Sequence, residues 1–523
     1  MRLPHALLAL GAVAALAGCG GSSERSTPPG GGTPAGGGAK ADAVLRIPYQ
    51  ESPAGGIDPD VFYGVEGESV ITSLYEGLVA YEPGSTRVGP ALATVWEVSK
   101  DGRTYTFGLR DDVRFHDGTP FDSAAVKANI ERRLAVRQAV SYMVADVESI
   151  DASKRYVVVI RLRARNNAFL DLLASMYGPK MISPAALKEH AGRDHAQRWL
   201  AGNAVGTGPY RLASLRIGDT AELTRNDDWW GGRAGFAKVE FPVIPDLGTQ
   251  RLQLESGDLD MMTHGIDAAG LPNVEQNPNL QAKIFPAALR HVLFLNTHKP
   301  PFDDPAVRRA FSAALRPEEA VRVVYGKTGR VATSNYPAVI AGDTDLGRLT
   351  PLTAEKPAKP VEVVLSYATG AGQTSLLRLV QYLQAQLKPA GFDVKLKGDT
   401  FAAQFSYATR PEKAPDALLA GLNPDAAHPD AWASPVWMTG GGLNLLGYGN
   451  PLVDRLIAEA RSAPTRAQAD ALYDELAQLV QEDAAVLAVD DFDDVIVARS
   501  GIDDIRHTPL YIWQVDMPAL REK

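Results

Sequence analysis

Cysteine is nearly absent from this chain: its 523 residues contain one, Cys19. No internal disulfide can form, so the folded body must be held by its core alone. Long apolar runs are missing as well, since nothing beyond Ala17 approaches the roughly 20 residues that span a bilayer. Basic stripes are also missing. The 62 acidic residues outnumber the 53 basic ones for a net charge of −9, and nothing in their distribution would track nucleic acid phosphates. With 45% apolar and 22% charged residues the body reads as globular, and its length predicts more than one lobe.

The assemblies that covalent catalysis needs are lacking too. There is no Gly-x-Ser-x-Gly elbow, no His-Glu-x-x-His, no Cys-x-x-Cys and no dinucleotide glycine fingerprint after a strand. Gly326-Lys327-Thr328 ends like a phosphate loop, but Val321 stands where the first glycine of that motif belongs. A turn after a helix is the expectation. His190 and His195 do not share a helix face, and the acidic run Asp490, Asp491, Asp493, Asp494 lacks the spacing of a calcium loop. That run reads as a solvated loop between strands. Trp229-Trp230-Gly231-Gly232 could stack on a sugar or a base, and is read instead as a plug at a domain junction. No catalytic residue, metal site or cofactor is expected.

What is present begins with the address. Arg2 and His5 precede an uncharged run from Ala6 to Ala17, the order of an export signal, and the run closes as Leu16-Ala17-Gly18-Cys19. This resembles the lipobox of bacterial lipoproteins, which implies a diacylglycerol on the Cys19 sulfur and cleavage in front of it. Acyl chains would hold the protein on a membrane at ~0.8 kcal/mol per buried CH₂. Residues 1–18 are then a lipoprotein signal peptide. Gly20 to Lys40, rich in Gly, Pro and Ser, completes a flexible tether over 19–40.

Periodicity beyond the tether predicts an α/β protein. Val44 to Tyr49 reads as a strand, and Val70, Ile71, Leu74 and Leu78 predict a helix over Glu68 to Ala80. Thr94 to Val98 and Thr104 to Arg110 flank the turn Lys100-Asp101-Gly102-Arg103 as a hairpin. Asp122 or Ser123 caps a helix to about Leu134, and Tyr156 to Leu162 is a strand. Val361 to Tyr367, Gln373 to Leu387 and Phe392 to Leu396 form a βαβ unit closed by Gly391. A strand follows over Asp416 to Leu422, then helices over Leu452 to Arg461 and Arg466 to Glu482. Strands over Ala485 to Val489 and Val495 to Ala498 close the chain.

Seven segments in register resemble one family. They are Gly56-Ile57-Asp58-Pro59; Leu74-Tyr75-Glu76-Gly77-Leu78; the run from Val113 to Phe121; Gly206-Thr207-Gly208-Pro209-Tyr210-Arg211-Leu212; Phe294-Leu295-Asn296; the run from Pro301 to Ala310; and Gly449-Asn450-Pro451-Leu452-Val453-Asp454. The family is that of the extracytoplasmic solute-binding proteins of ABC importers in the peptide, opine and nickel class, family 5. The resemblance implies a periplasmic-binding-protein-like α/β fold, type II and class C, with two lobes around a hinged cleft and an extra domain on lobe one. Lobe one would comprise 41–78, 207–290 and 490–523; the extra domain, 79–206; lobe two, 291–489. The implied role is to capture a solute and deliver it to a membrane permease, as a monomer and not as an enzyme, on the outer face of a membrane or in a periplasm. Most of the matched residues are expected to shape turns: His116 to fix one, Asp303 to cap the helix that Pro305 opens.

The ligand signal is Gly421-Leu422-Asn423-Pro424-Asp425-Ala426-Ala427-His428-Pro429-Asp430. In peptide-binding relatives a loop of this kind carries, four residues before a proline, the aspartate that pairs with the peptide's ammonium. Asp425 stands four before Pro429. The main chain of Gly421, Leu422 and Asn423 could hold a peptide backbone as an added strand. His428 departs from the acidic residue expected beside the proline, and could touch a metal chelate or solvent. Trp432, Trp437, Tyr407 and Phe405 could stack on a sugar or be core. A turn role for Asp425, shaping Asn423-Pro424-Asp425, is the equal alternative. The leading expectation is an oligopeptide receptor; an oligosaccharide or metal-chelate receptor is the alternative, and a surface peptide hydrolase or a sensory lipoprotein comes from other classes.

Overall fold

A computed structural model of the protein describes residues 43–523 apart from 54, 343 and 371–373. The signal peptide, the tether and Cys19 lie outside the described residues. No helix among the described residues is long and apolar enough to cross a membrane.

Three sheets organise the chain. The first joins Val44–Arg46, Lys238–Pro242, Thr220–Arg225 and Tyr210–Arg216 in that order, its first pair parallel. The second is antiparallel, ordered Ala93–Val98, Thr104–Leu109, Val157–Leu162 and Val147–Lys154. The third has seven strands: Met261–Met262, Val486–Arg499, Leu280–Leu295, Ala417–Leu422, Val361–Ala368 and Phe392–Asp399, with Gly329–Val331 joined to Val486–Arg499. Local signals carried the expected elements where the structure repeats them. The hairpin turns at Lys100–Arg103, Asp122 accepts the amides of Ala124 and Ala125 to cap Ser123–Val136, and the βαβ unit pairs Val361 with Phe392 in parallel.

Three expectations are corrected. The helix from Glu68 stops at Leu74, and Val79–Tyr81 is a strand. The reason is a close crossing: the Leu74 carbonyl accepts the Gly208 amide at 3.0 Å. A Cβ at Gly206 would stand 2.0 Å from the Leu74 oxygen, so only glycine lets this segment pass. The cap of Pro305–Ala314 is Asp304, which accepts the Ala306 amide, and not Asp303. The third correction concerns the acidic run.

Asp490, Asp491 and Asp494 do not sit in a solvated loop. They are buried within one continuous strand, Val486–Arg499. Each is matched from another segment: Arg290 grips Asp491 at 3.0 and 2.9 Å, His291 Nδ1 lies 2.7 Å from Asp490, and the Trp513 amide donates to Asp494 Oδ2 at 2.9 Å. Pairing of this kind is what allows carboxylates to leave water. The strand runs antiparallel to the sixteen residues of Leu280–Leu295, with irregular register between Phe285 and Leu289 and again after His291. One end of the ribbon packs with Leu254, Leu259 and Met262, through Leu280, Val495 and Val497. The other packs with Leu379, Val380 and Leu419, through Leu293, Leu295 and Leu487. One pair of strands therefore serves two cores.

The motif residues outside the ribbon fix junctions. His116 accepts the Gly206 amide at Nδ1 and faces the Gly208 carbonyl at 3.1 Å with Nε2; burial pushes its imidazole down to about 4. Trp229 and Trp230 both donate their indole N–H to Glu76, which also accepts from Thr207. The Arg110 guanidinium lies 3.7 Å over the Trp230 ring. The tryptophan pair thus ties three motifs together as a plug.

Candidate functional site

The strand Ala417–Leu422 is buried except at half-buried Gly421 and delivers the loop Asn423–Pro429, after which Asp430–Val436 is helical. Its ladder with Val361–Ala368 ends at Leu419, so beyond that point the backbone edge toward that strand has no strand partner among the described residues. On the opposite edge Gly421 faces His291, and a Cβ there would lie in ordinary contact, 3.7 Å from the imidazole.

Asp425 is 6% exposed. Two phenols donate to its Oδ2: Tyr63 at 2.8 Å, from the segment before the helix Glu68–Leu74, and Tyr142 at 2.5 Å, from the turn Ala139–Val144. Oδ1 has no hydrogen-bond partner among the described residues. Tyr63 and Tyr142 are 43% and 46% exposed, so they form a rim whose hydroxyls reach inward to Asp425. Two residues further on, the Ala427 amide donates to Tyr81 at 2.8 Å. Asn167 bonds the end of the helix Pro451–Ser462 through the carbonyls of Ala460, Arg461 and Ala463. The loop is thus docked between elements distant in sequence.

Burial raises the Asp425 carboxyl above its ordinary range, and the two phenols oppose that only in part. What distinguishes this carboxylate is its company. Among the described residues, buried Asp58 and Asp60 have Arg132, Asp260 has Arg499, Asp430 has Arg461, Asp491 has Arg290, and Asp490 has His291. Asp425 has no cation beside it.

The other expected residues are placed differently. Leu422 and Trp432 join the core formed with Phe294, Val436 and Tyr473. Trp437 is in the same core, with Phe405 and Tyr407 packed at its edge. His428 is buried, accepts the Asp430 amide at Nδ1 and meets the Tyr473 ring edge-on; desolvation pushes its imidazole down to about 4. Gly421 and Asn423 flank the loop and are half-buried. Among the described residues no group of three or more His, Asp or Glu side chains is placed to hold a metal. Tyr63 and Tyr142 were missed by sequence reasoning, since a lone tyrosine in a turn carries no periodic signal.

The arrangement is a preformed acceptor, oriented by two neutral donors and left open at one oxygen. The family model for bacterial extracellular solute-binding proteins, family 5 Middle, matches residues 87–444. The chain belongs to this family. As a family 5 protein it captures a solute outside the cytoplasm for an ABC importer, works with that importer's permease, and is not an enzyme. It is similar to the glutathione-binding protein of Pectobacterium atrosepticum, 27% identical over 473 residues that cover 85% of this chain and 88% of that one. The nickel-binding periplasmic protein of Escherichia coli is 26% identical over 479 residues, covering 84% and 87%. The fold matches the periplasmic binding protein DppA from Helicobacter pylori in complex with the peptide STSA, with a TM-score of 0.77 at 22% identity, covering 92% and 98% of the two chains. The family 5 fold is the type II periplasmic-binding-protein fold expected from the sequence.

Proposed function

We propose that this family 5 protein is an oligopeptide receptor in which Asp425 Oδ1 takes the ligand's ammonium. The observation that carries this is the buried carboxylate without a cation. An anion removed from water needs a charged partner, and a peptide N-terminus supplies one with three donors. The unpaired strand edge beyond Leu419 supports backbone capture as an added strand by Gly421, Leu422 and Asn423. Burial of His428 and Trp432 favours this over a chelate or sugar site on those side chains.

The lobes keep the division 41–78, 207–290 and 490–523 against 291–489, with 79–206 as the extra domain. They hinge where the long ribbon loses register, between Phe285 and Leu289. The protein acts as a monomer, held to the membrane through a lipid on Cys19 and the tether 19–40. Native mass spectrometry of protein purified from rich medium tests the ligand. Heterogeneous short peptides are expected, and a single sugar or metal adduct would overturn the reading. Cys19→Ser is expected to leave the protein uncleaved and without acyl mass; an unchanged mass would refute the anchor.

A further inference from the structure

Capture at Asp425 leaves a second polar group on the same wall without a task. The segment that brings Tyr63 to Asp425 continues through Val65, which packs on the cluster of Ala287, Leu289 and Ala426, and reaches Glu66. Three residues of chain span at most about 11 Å, so Glu66 lies close to the Asp425 rim.

Glu66 Oε1 is 3.0 Å from Nε2 of His264, but off the line of its N–H. The same Nε2 lies 3.2 Å from Gln50 Oε1, an acceptor, which puts the ring proton on Nε2. His264 is 8% exposed, and its ring stacks on the Trp513 indole with centroids 4.4 Å apart. Trp513 packs on the same cluster as Ala426 and Val65. Both oxygens of Glu66 and Nδ1 of His264 are buried, and none has a hydrogen-bond partner among the described residues.

Two buried carboxylate oxygens without a hydrogen-bond donor, beside an unpartnered imidazole nitrogen, leave a large desolvation cost uncompensated by hydrogen bonds among the described residues. Their complement is a group that carries several N–H donors and a positive charge, an ammonium or a guanidinium. An indole beside them suits the same kind of group. His264 is the ion-pair partner of Glu66 among the described residues, and its ring also lies near the buried Asp494 carboxylate.

We propose that Glu66 and His264 form a second cation subsite, so that the preferred solute carries two donor-rich positive groups, one on Asp425 and one here. A peptide with a basic side chain, or a diamine, fits that description. The proposal rests on the Asp425 reading for its first contact, and its own content is the second.

The test is calorimetric titration of the full-length protein with Ala-Ala-Ala, with the three tripeptides that carry one lysine, and with pentylamine and 1,5-diaminopentane. One lysine position is expected to bind about tenfold tighter than Ala-Ala-Ala. Glu66→Gln, with a thermal melt as the control for folding, should remove that gain and leave Ala-Ala-Ala binding within about twofold of wild type. His264→Asn provides a second variant with the same expected loss. A lysine gain that is absent, or that survives both variants, overturns the subsite and returns the pair to a buried contact filled by water. If no tripeptide binds, the peptide reading fails separately. A preference for the diamine over pentylamine, lost in Glu66→Gln, would then support the second subsite, and no preference would overturn it.

Discussion

Asp425→Ala is expected to weaken capture of a peptide ligand by about two to three and a half orders of magnitude. Removing one partner of a buried ion pair costs ~3–5 kcal/mol, because the other charge stays buried alone. Each 1.4 kcal/mol is about a factor of ten in affinity. Asp425→Asn keeps the acceptor for Tyr63 and Tyr142 and removes only the charge, so it should lose nearly as much affinity while the ligand-free protein becomes more stable. The pH dependence has two opposite signs. Burial raises the carboxyl in the ligand-free fold, so protonation stabilises that fold. The gain is complete below the ordinary carboxylate value and is lost as pH rises through the raised one. Affinity for an ammonium runs the other way, falling as pH drops through the raised value, because only the carboxylate pairs with it. Calorimetry and thermal melts over a pH series measure both. Affinity that does not respond to acid, or that survives Asp425→Asn, would return the residue to a turn role.

The part of this site that was legible in the sequence was local. Asp425 was found from its distance to Pro429 in one loop, and the hairpin, the capped helix at Asp122 and the βαβ unit came from signals a few residues apart. What completes the site was not legible. Tyr63 and Tyr142 stand 362 and 283 residues from Asp425 in the chain. The acidic run misled for the same reason. Four aspartates in five positions read as a solvated loop until Arg290 and His291, 201 and 199 residues away, pair with two of them across a strand ladder. Charge pattern describes what a segment needs, and only the fold shows what supplies it. His428 marks the converse error: a polar residue beside a binding loop pointed toward a ligand in the sequence, and the structure sets it against Tyr473 in a core.

Asp60→Ala is expected to destabilise the protein by ~3–5 kcal/mol, since it leaves a buried guanidinium without its carboxylate. Asp60 lies 2.5 Å from Arg132 Nη1 and 2.6 Å from Arg133 Nε. Arg132 retains Asp58, at 2.9 and 2.6 Å, but Arg133 keeps only carbonyl partners in Pro59, Tyr177 and Gly178. Asp58→Ala should cost less, because Asp60 still neutralises Arg132. Adding Arg133→Met to Asp60→Ala should recover part of the loss, since an apolar side chain needs no counter-charge. Denaturant melts would show this order; equal losses at Asp58 and Asp60, or no recovery in the double variant, would contradict the assignment. The same substitution should also weaken ligand capture. The amides of Val61 and Phe62 donate to the Asp58 carbonyl, and the next residue is Tyr63. A loosened turn there releases the phenol that orients Asp425. Since Tyr142 still donates to Oδ2 at 2.5 Å, the binding loss should be smaller than that of Asp425→Ala. A binding loss without any loss of stability would instead place Asp60 in contact with ligand, which its double grip on two buried arginines opposes.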